Sequence, residues 1–213
     1  MKRTKRFLAL VMIMILSLSL VGCGDDSADL YGTWEKTYDV TEAMMDGAGD
    51  EYADFNEKIE LKMILEFNED GSYALHADEE VTEANFTQWI EALAAYEAEV
   101  VYSTYEEQGF SREEVDEQAQ QQYGCTMEEY MLEAAKESFD VDTLMSNLES
   151  EGVFEAKGGK LYMGDTEILA NQYDLYTLEG DTLTINAASE EIEAEAAEVP
   201  GFEYPWVFTK VAE

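Results

Sequence analysis

One histidine, His76, and two cysteines, Cys23 and Cys125, are the only imidazole and thiol groups in a chain of 213 residues that carries 49 Asp and Glu. A serine-type triad would have to use His76, and no glycine-flanked nucleophile serine accompanies it. In the tract Tyr73-Ala74-Leu75-His76-Ala77-Asp78 the imidazole falls opposite the apolar face of a strand, so it is expected to face solvent or hydrogen-bond across strands. One histidine and few thiols cannot build a nitrogen- or sulfur-ligated zinc site. Cys125 follows Gly124 at an expected helix start, where a thiolate is favoured; it is either a reactive thiol or a small apolar residue closing a helix end. Acids lie near glycines in Asp46-Gly47-Ala48-Gly49-Asp50-Glu51 and Asn68-Glu69-Asp70-Gly71, but neither fits the twelve-residue ligand spacing of an EF-hand. Paired carboxylates can hydrolyse glycosides, which leaves a carboxylate-dependent hydrolase as the enzyme alternative. Nothing singles out a pair, and no glycine-rich phosphate loop precedes a helix. The chain therefore reads as non-enzymatic, with no metal and no cofactor implied.

Composition narrows the partners. With 12 Lys and Arg against 49 acids, the formal charge is −37, which excludes a nucleic-acid binder that works by neutralising phosphates. Two cysteines cannot make a disulfide framework. With 3 Trp, 13 Tyr and 9 Phe, the chain is too aromatic for a disordered acidic polymer.

The amino terminus carries Lys2, Arg3, Lys5 and Arg6, then an apolar run from Phe7 to Leu20 that is too short for a permanent membrane span. Leu20-Val21-Gly22-Cys23 resembles the bacterial lipobox. That resemblance implies a signal peptide over 1–22, cleavage before Cys23 and lipidation of its thiol by acyl chains such as palmitate. Several acyl chains make a lasting anchor, each buried methylene contributing ~0.8 kcal/mol. Residues 23–30 then read as lipidated cysteine and polar tether, and the folded part as an acidic body on the extracytoplasmic face of a cell membrane.

The elements that follow are mostly strands. Ile59, Leu61, Met63, Leu65 and Phe67 share one phase while Glu60, Lys62 and Glu66 face the other way, Asn68-Glu69-Asp70-Gly71 has turn chemistry, and Ser72–Ala77 resumes as a second strand. Thr33–Val40 is a first strand, with Trp34, Lys36, Tyr38 and Val40 in one phase; residues 41–57 read as a long loop with at most one helical turn. From Glu83 to Ser150 there is no proline, and Phe86, Trp89, Leu93, Tyr96 and Val100 recur at helical spacing. Ser111-Arg112-Glu113-Glu114 and Thr126-Met127-Glu128-Glu129 match the capping box and open two further helices; Val141, Leu144 and Leu148 mark a short fourth. Hairpins return at Val153–Met163 and Tyr173–Ile185, a short acidic helix or loop occupies 189–198, and Glu203–Val211 is a last strand interrupted by Pro205. The expectation is an α+β protein: an antiparallel eight-stranded β-barrel over 31–80 and 152–213, with a helical insertion over 81–151 between strands 3 and 4.

Gly32-Thr33-Trp34 at the head of the first strand, LEFNEDGSY over 65–73 and YTLEGDTLTI over 176–185 resemble lipocalin-like barrels of small bacterial lipoproteins. The resemblance implies a lipocalin-like fold in which Gly32 and Trp34 close one end of the barrel beneath a cation from the last strand. Lys210 stands where the family pattern has arginine, and lacks its planar fork. Two uses of such a body compete. An unknown apolar small molecule would sit among inward-facing Leu61, Met63, Leu65 and Phe67. Alternatively, Trp89, Tyr96, Met127 and Met131 of the insertion would clamp a cell-envelope protein, with the barrel as scaffold.

Overall fold

A computed structural model describes residues 25–45, 52–139, 145, 149–169, 171–197 and 203–212. The leader with Cys23, the acidic run 46–51, and Val141, Leu144 and Leu148 lie outside the described residues.

Eight strands follow one another around a closed antiparallel barrel, each paired with its neighbours in sequence. They are β1 (Gly32–Asp39), β2 (Glu60–Phe67), β3 (Ser72–Ala77), β4 (Ser150–Lys157), β5 (Lys160–Gly164), β6 (Asp174–Glu179), β7 (Thr182–Asn186) and β8 (Trp206–Lys210). The ring closes where Trp34 pairs with Lys210 and Glu35 with Thr209. A helical turn, α1 (Thr41–Met44), follows β1. Helices α2 (Glu79–Glu107), α3 (Arg112–Gln122) and α4 (Met127–Ser138) stand between β3 and β4, and α5 (Glu190–Ala196) precedes β8. This is the α+β barrel with a helical insertion that the strand count and turn chemistry predict.

Alternation makes the barrel. Leu61, Met63, Leu65 and Phe67 of β2 are all buried, with less buried Lys62, Ile64 and Glu66 between them, and β1 pairs with β2 in register from Gly32 against Phe67 to Asp39 against Glu60. The turn into β3 is held by Gly71 at φ 84° and by the Ser72 amide, which donates to Asp70 Oδ1 at 2.9 Å. The last strand starts later than its sequence pattern, at Trp206, because Pro205 has no N–H to offer a ladder.

The barrel interior divides into two packed regions. At one end Leu30, Trp34, Phe67, Phe154, Ala156, Leu161, Leu183 and Phe208 form a closed plug. At the other, Ile59, Leu61 and Met63 meet Phe86, Trp89, Ile90, Leu93 and Ala94 of α2, which covers that side of the barrel.

Helix α2 begins where Asp78 accepts a hydrogen bond from the Val81 amide at 3.2 Å, its first residue, Glu79, two before the expected start of the insertion at 81. Its 29 residues extend roughly 43 Å, well past the barrel. The buried face accordingly turns from Phe86, Trp89 and Leu93, against β2, to Ala98 and Tyr102, against the other two helices. Val100, expected on the apolar stripe, is exposed for that reason. Both capping boxes form, at Ser111 with Glu114 and at Thr126 with Glu129. The Asp116 carboxylate ties the bundle together, accepting from Tyr102 Oη at 2.7 Å and from the Met127 amide at 3.0 Å. Arg112 pairs with Glu99 and Glu106 and lies over the Tyr102 ring.

Residues 25–30, read in the sequence as part of a polar tether, are docked on the barrel. The Asp26 amide donates to the Ala156 carbonyl and the Ala156 amide to Ser27 Oγ, both at 2.8 Å, while Gly158 N donates to Asp26 Oδ2 at 2.8 Å. Leu30 is wholly buried in the closed plug. Ser27 and Asp26 satisfy backbone groups of β4 and its turn, and Leu30 removes an apolar side chain from water; together these overcome the freedom of a free tail.

Candidate ligand cavity in the barrel

Between the two packed regions the barrel interior is not filled. A cavity of about 360 Å³ opens there, within the ~300–1,000 Å³ range of small-molecule sites. Its walls are apolar: Met63 and Leu65 from β2, Leu75 from β3, Met163 from β5, Ile185 from β7, and Trp206 and Phe208 from β8. Tyr38 and Tyr73 add aromatic surface, and Glu149, Ser150 and Asp174 supply the polar groups. Apart from Glu149, which precedes β4, each lining residue belongs to a strand whose alternate residues point inward, so the closed ring itself brings them together.

Asp174 opens β6 in phase with inward Tyr176 and Leu178. It accepts a hydrogen bond from Tyr204 Oη at 3.2 Å, but burial raises its carboxyl above the usual range. Tyr204 stacks on Trp206 with ring centroids 4.4 Å apart, and burial beside Asp174 pushes its phenol up. Burial alone does the same to Tyr38. Lys36, in phase with Trp34 and Tyr38, lies with Nζ 3.8 Å from the centre of the Tyr38 ring. Burial lowers its ammonium to about 8, opposed by the Glu203 carboxylate. Tyr73 Oη and Ser150 Oγ share a hydrogen bond of 2.9 Å at the rim.

The residues singled out in the sequence fall into distinct places. Of the four inward residues of β2, Met63 and Leu65 line the cavity, whereas Leu61 packs toward α2 and Phe67 lies in the closed plug, 4.5 Å from the Phe154 ring. At the barrel end, Lys210 Nζ lies 5.0 Å from the centre of the Trp34 ring, and Trp34 Nε1 donates to the Leu30 carbonyl at 2.7 Å. Gly32 holds φ 121°, and a Cβ there would meet Lys210 Cε at 3.1 Å, so the glycine both makes the bend and admits the lysine. Lysine thus occupies the position over Trp34 without arginine's fork.

Of the four insertion residues expected to face a partner, Trp89 is buried and the other three are half-buried. Trp89 is 1% exposed, wedged against Phe55 and Phe139 with Nε1 donating to the Glu57 carbonyl, so it is a core residue. Tyr96, Met127 and Met131 are half-buried in the seams of the helices. Cys125 also departs from its reactive reading: desolvation, then the Glu129 and Glu133 carboxylates, raise its thiol and disfavour the thiolate. His76 is half-buried, with Nδ1 3.1 Å from the Ala77 carbonyl oxygen. Among the described residues, no group of three His, Cys, Asp or Glu is arranged to hold a metal ion, and no helix is long and apolar enough to cross a membrane.

Sequence reasoning passed over Asp174, Tyr204 and Met163. The signal for Asp174 was available: a carboxylate in phase with two inward apolar residues of one strand. Tyr204 alternates with Trp206 and Phe208 in the sequence, but it lies before the start of β8, and its hydrogen bond to Asp174, thirty residues away, leaves no local trace.

By architecture the chain is a closed eight-stranded antiparallel barrel with helices between its third and fourth strands. No protein-family model, no curated protein and no solved structure matches it.

Proposed function

We propose that this chain is a lipid-anchored, extracytoplasmic binding protein of lipocalin-like type, whose barrel holds a small, largely apolar molecule. The observation that carries this reading is the apolar-walled cavity of about 360 Å³ inside the barrel. Small barrels are commonly filled by their own side chains, and unfilled apolar volume forfeits packing energy. A ligand that occupies the space recovers it. The buried position of Trp89 weighs against the competing use of the insertion as a protein clamp. The anchor rests on the lipobox-like Leu20-Val21-Gly22-Cys23.

Native mass spectrometry of protein taken from expressing cells reads a retained molecule directly. Wild type is expected to carry a small-molecule mass adduct that Met163→Trp, which fills the cavity, does not. Repeated absence of an adduct, together with no heat on titration with short alkyl compounds, refutes the binding reading. The mass of the amino-terminal peptide tests the anchor, which fails if Cys23 is recovered unmodified.

A further inference from the structure

We propose that the cavity selects a cationic amphiphile, an alkyl or aryl ammonium compound whose positive head lies against Asp174 and whose apolar body lies over Leu75, Met163 and Phe208. The inference rests on the reading of the cavity as a ligand site.

Four observations carry it. Among the described residues that line the cavity, the charged side chains are Asp174 and Glu149, both acids. Asp174 is met by the Tyr204 hydroxyl and by no cation in the described ion pairs, so a half-buried carboxylate at the cavity wall has its charge unbalanced. The Trp206 ring lines the same space with Tyr204 stacked on it, giving a π surface beside the carboxylate; a cation is attracted to both. Finally, a chain of formal charge −37 repels an anionic amphiphile and concentrates a cationic one at a cleft lined by acids. Lys36 is the natural counter-charge for the opposite choice, a fatty carboxylate. It is engaged over the Tyr38 ring and drawn toward Glu203, and it is not among the lining residues.

Three eight-carbon probes that differ only in the head separate these cases: octylammonium, 1-octanol and octanoate, titrated calorimetrically into the full-length chain below micelle formation. Octylammonium is expected to bind at least about tenfold tighter than octanol, with octanoate weakest. Asp174→Asn should bring octylammonium down to the level of octanol and leave octanol within about twofold, since the amide oxygen still accepts from Tyr204. Met163→Trp should lose all three. Nuclear Overhauser contacts from the probe's α-methylene to the Trp206 ring place the head in wild type, without relying on any variant. Equal binding of octylammonium and octanol, or tightest binding of octanoate, overturns the head-group assignment and leaves the cavity reading standing. Octylammonium binding that survives Met163→Trp overturns it too, as surface attraction. Failure of all three probes removes the cavity reading and the inference with it.

Discussion

Asp174 is more costly to the empty protein than to an unfolded chain. Its folded carboxyl titrates above the ordinary carboxylate value because burial disfavours the charged form. Across the window from that ordinary value up to the raised one, the folded state binds more protons than the unfolded state. Stability therefore falls as pH rises through the window and stays lower at neutral pH. Asp174→Asn should raise the urea midpoint at pH 7, and the gain should shrink as the pH falls to about 3 and below, under the ordinary carboxylate value, where both states become protonated. Asp39 has the opposite sign. The Lys58 ammonium and the Thr41 hydroxyl hold it down to about 2, so its contribution is present above the ordinary carboxylate range and is lost on acidification. A second residue-scale prediction concerns Gly152. A Cβ there would lie 2.2 Å from the Gly164 carbonyl oxygen. Gly152→Ala must push β4 away from the end of β5, at a cost of about 1–3 kcal/mol or more, read as a lower urea midpoint. In the sequence this glycine looks like punctuation before a strand. Its real constraint, a neighbouring backbone, comes from residues twelve positions away and leaves no local trace.

The elements show where sequence patterns end. Capping boxes at Ser111 and Thr126 were legible because the reciprocal bonds lie within four residues. The β2–β3 hairpin was legible because alternation and turn chemistry are both local. The apolar stripe of α2 was legible as a stripe, but periodicity names no partner. It could face a barrel, a helix or another protein, and only the folded ring shows that Phe86, Trp89 and Leu93 face β2. Trp89 therefore holds the insertion to the barrel, and Trp89→Ala should cost about 3–5 kcal/mol, the range for emptying a large aromatic site. Thermal unfolding followed by near-ultraviolet circular dichroism checks this. A clamp residue would leave that melt unchanged, so the measurement also separates the two roles.

For the whole molecule, the number and order of strands were enough to anticipate ring closure, since eight antiparallel strands with short turns hide every edge. The cavity was not legible. Its lining comes from all eight strands, and the gap depends on side-chain volumes that meet only after closure. The acid excess has a consequence at this scale as well. Self-repulsion among charges summing to −37 destabilises the compact state and is screened by salt. The melting temperature should rise steadily from about 10 mM to about 0.5 M NaCl, and a flat response would mean that the carboxylates are locally balanced.

The docked segment 25–30 fixes a bearing as well as a fold. On the proposed anchoring, only Cys23 and Gly24 separate the acyl chains from Asp25, which is bridged to Lys157 at the closed end of the barrel. Two residues reach at most about 7 Å. Such a mooring sets the plugged base down on the lipid headgroups and points the helical crown outward, so that whatever enters the barrel arrives from the surroundings and not from the bilayer beneath.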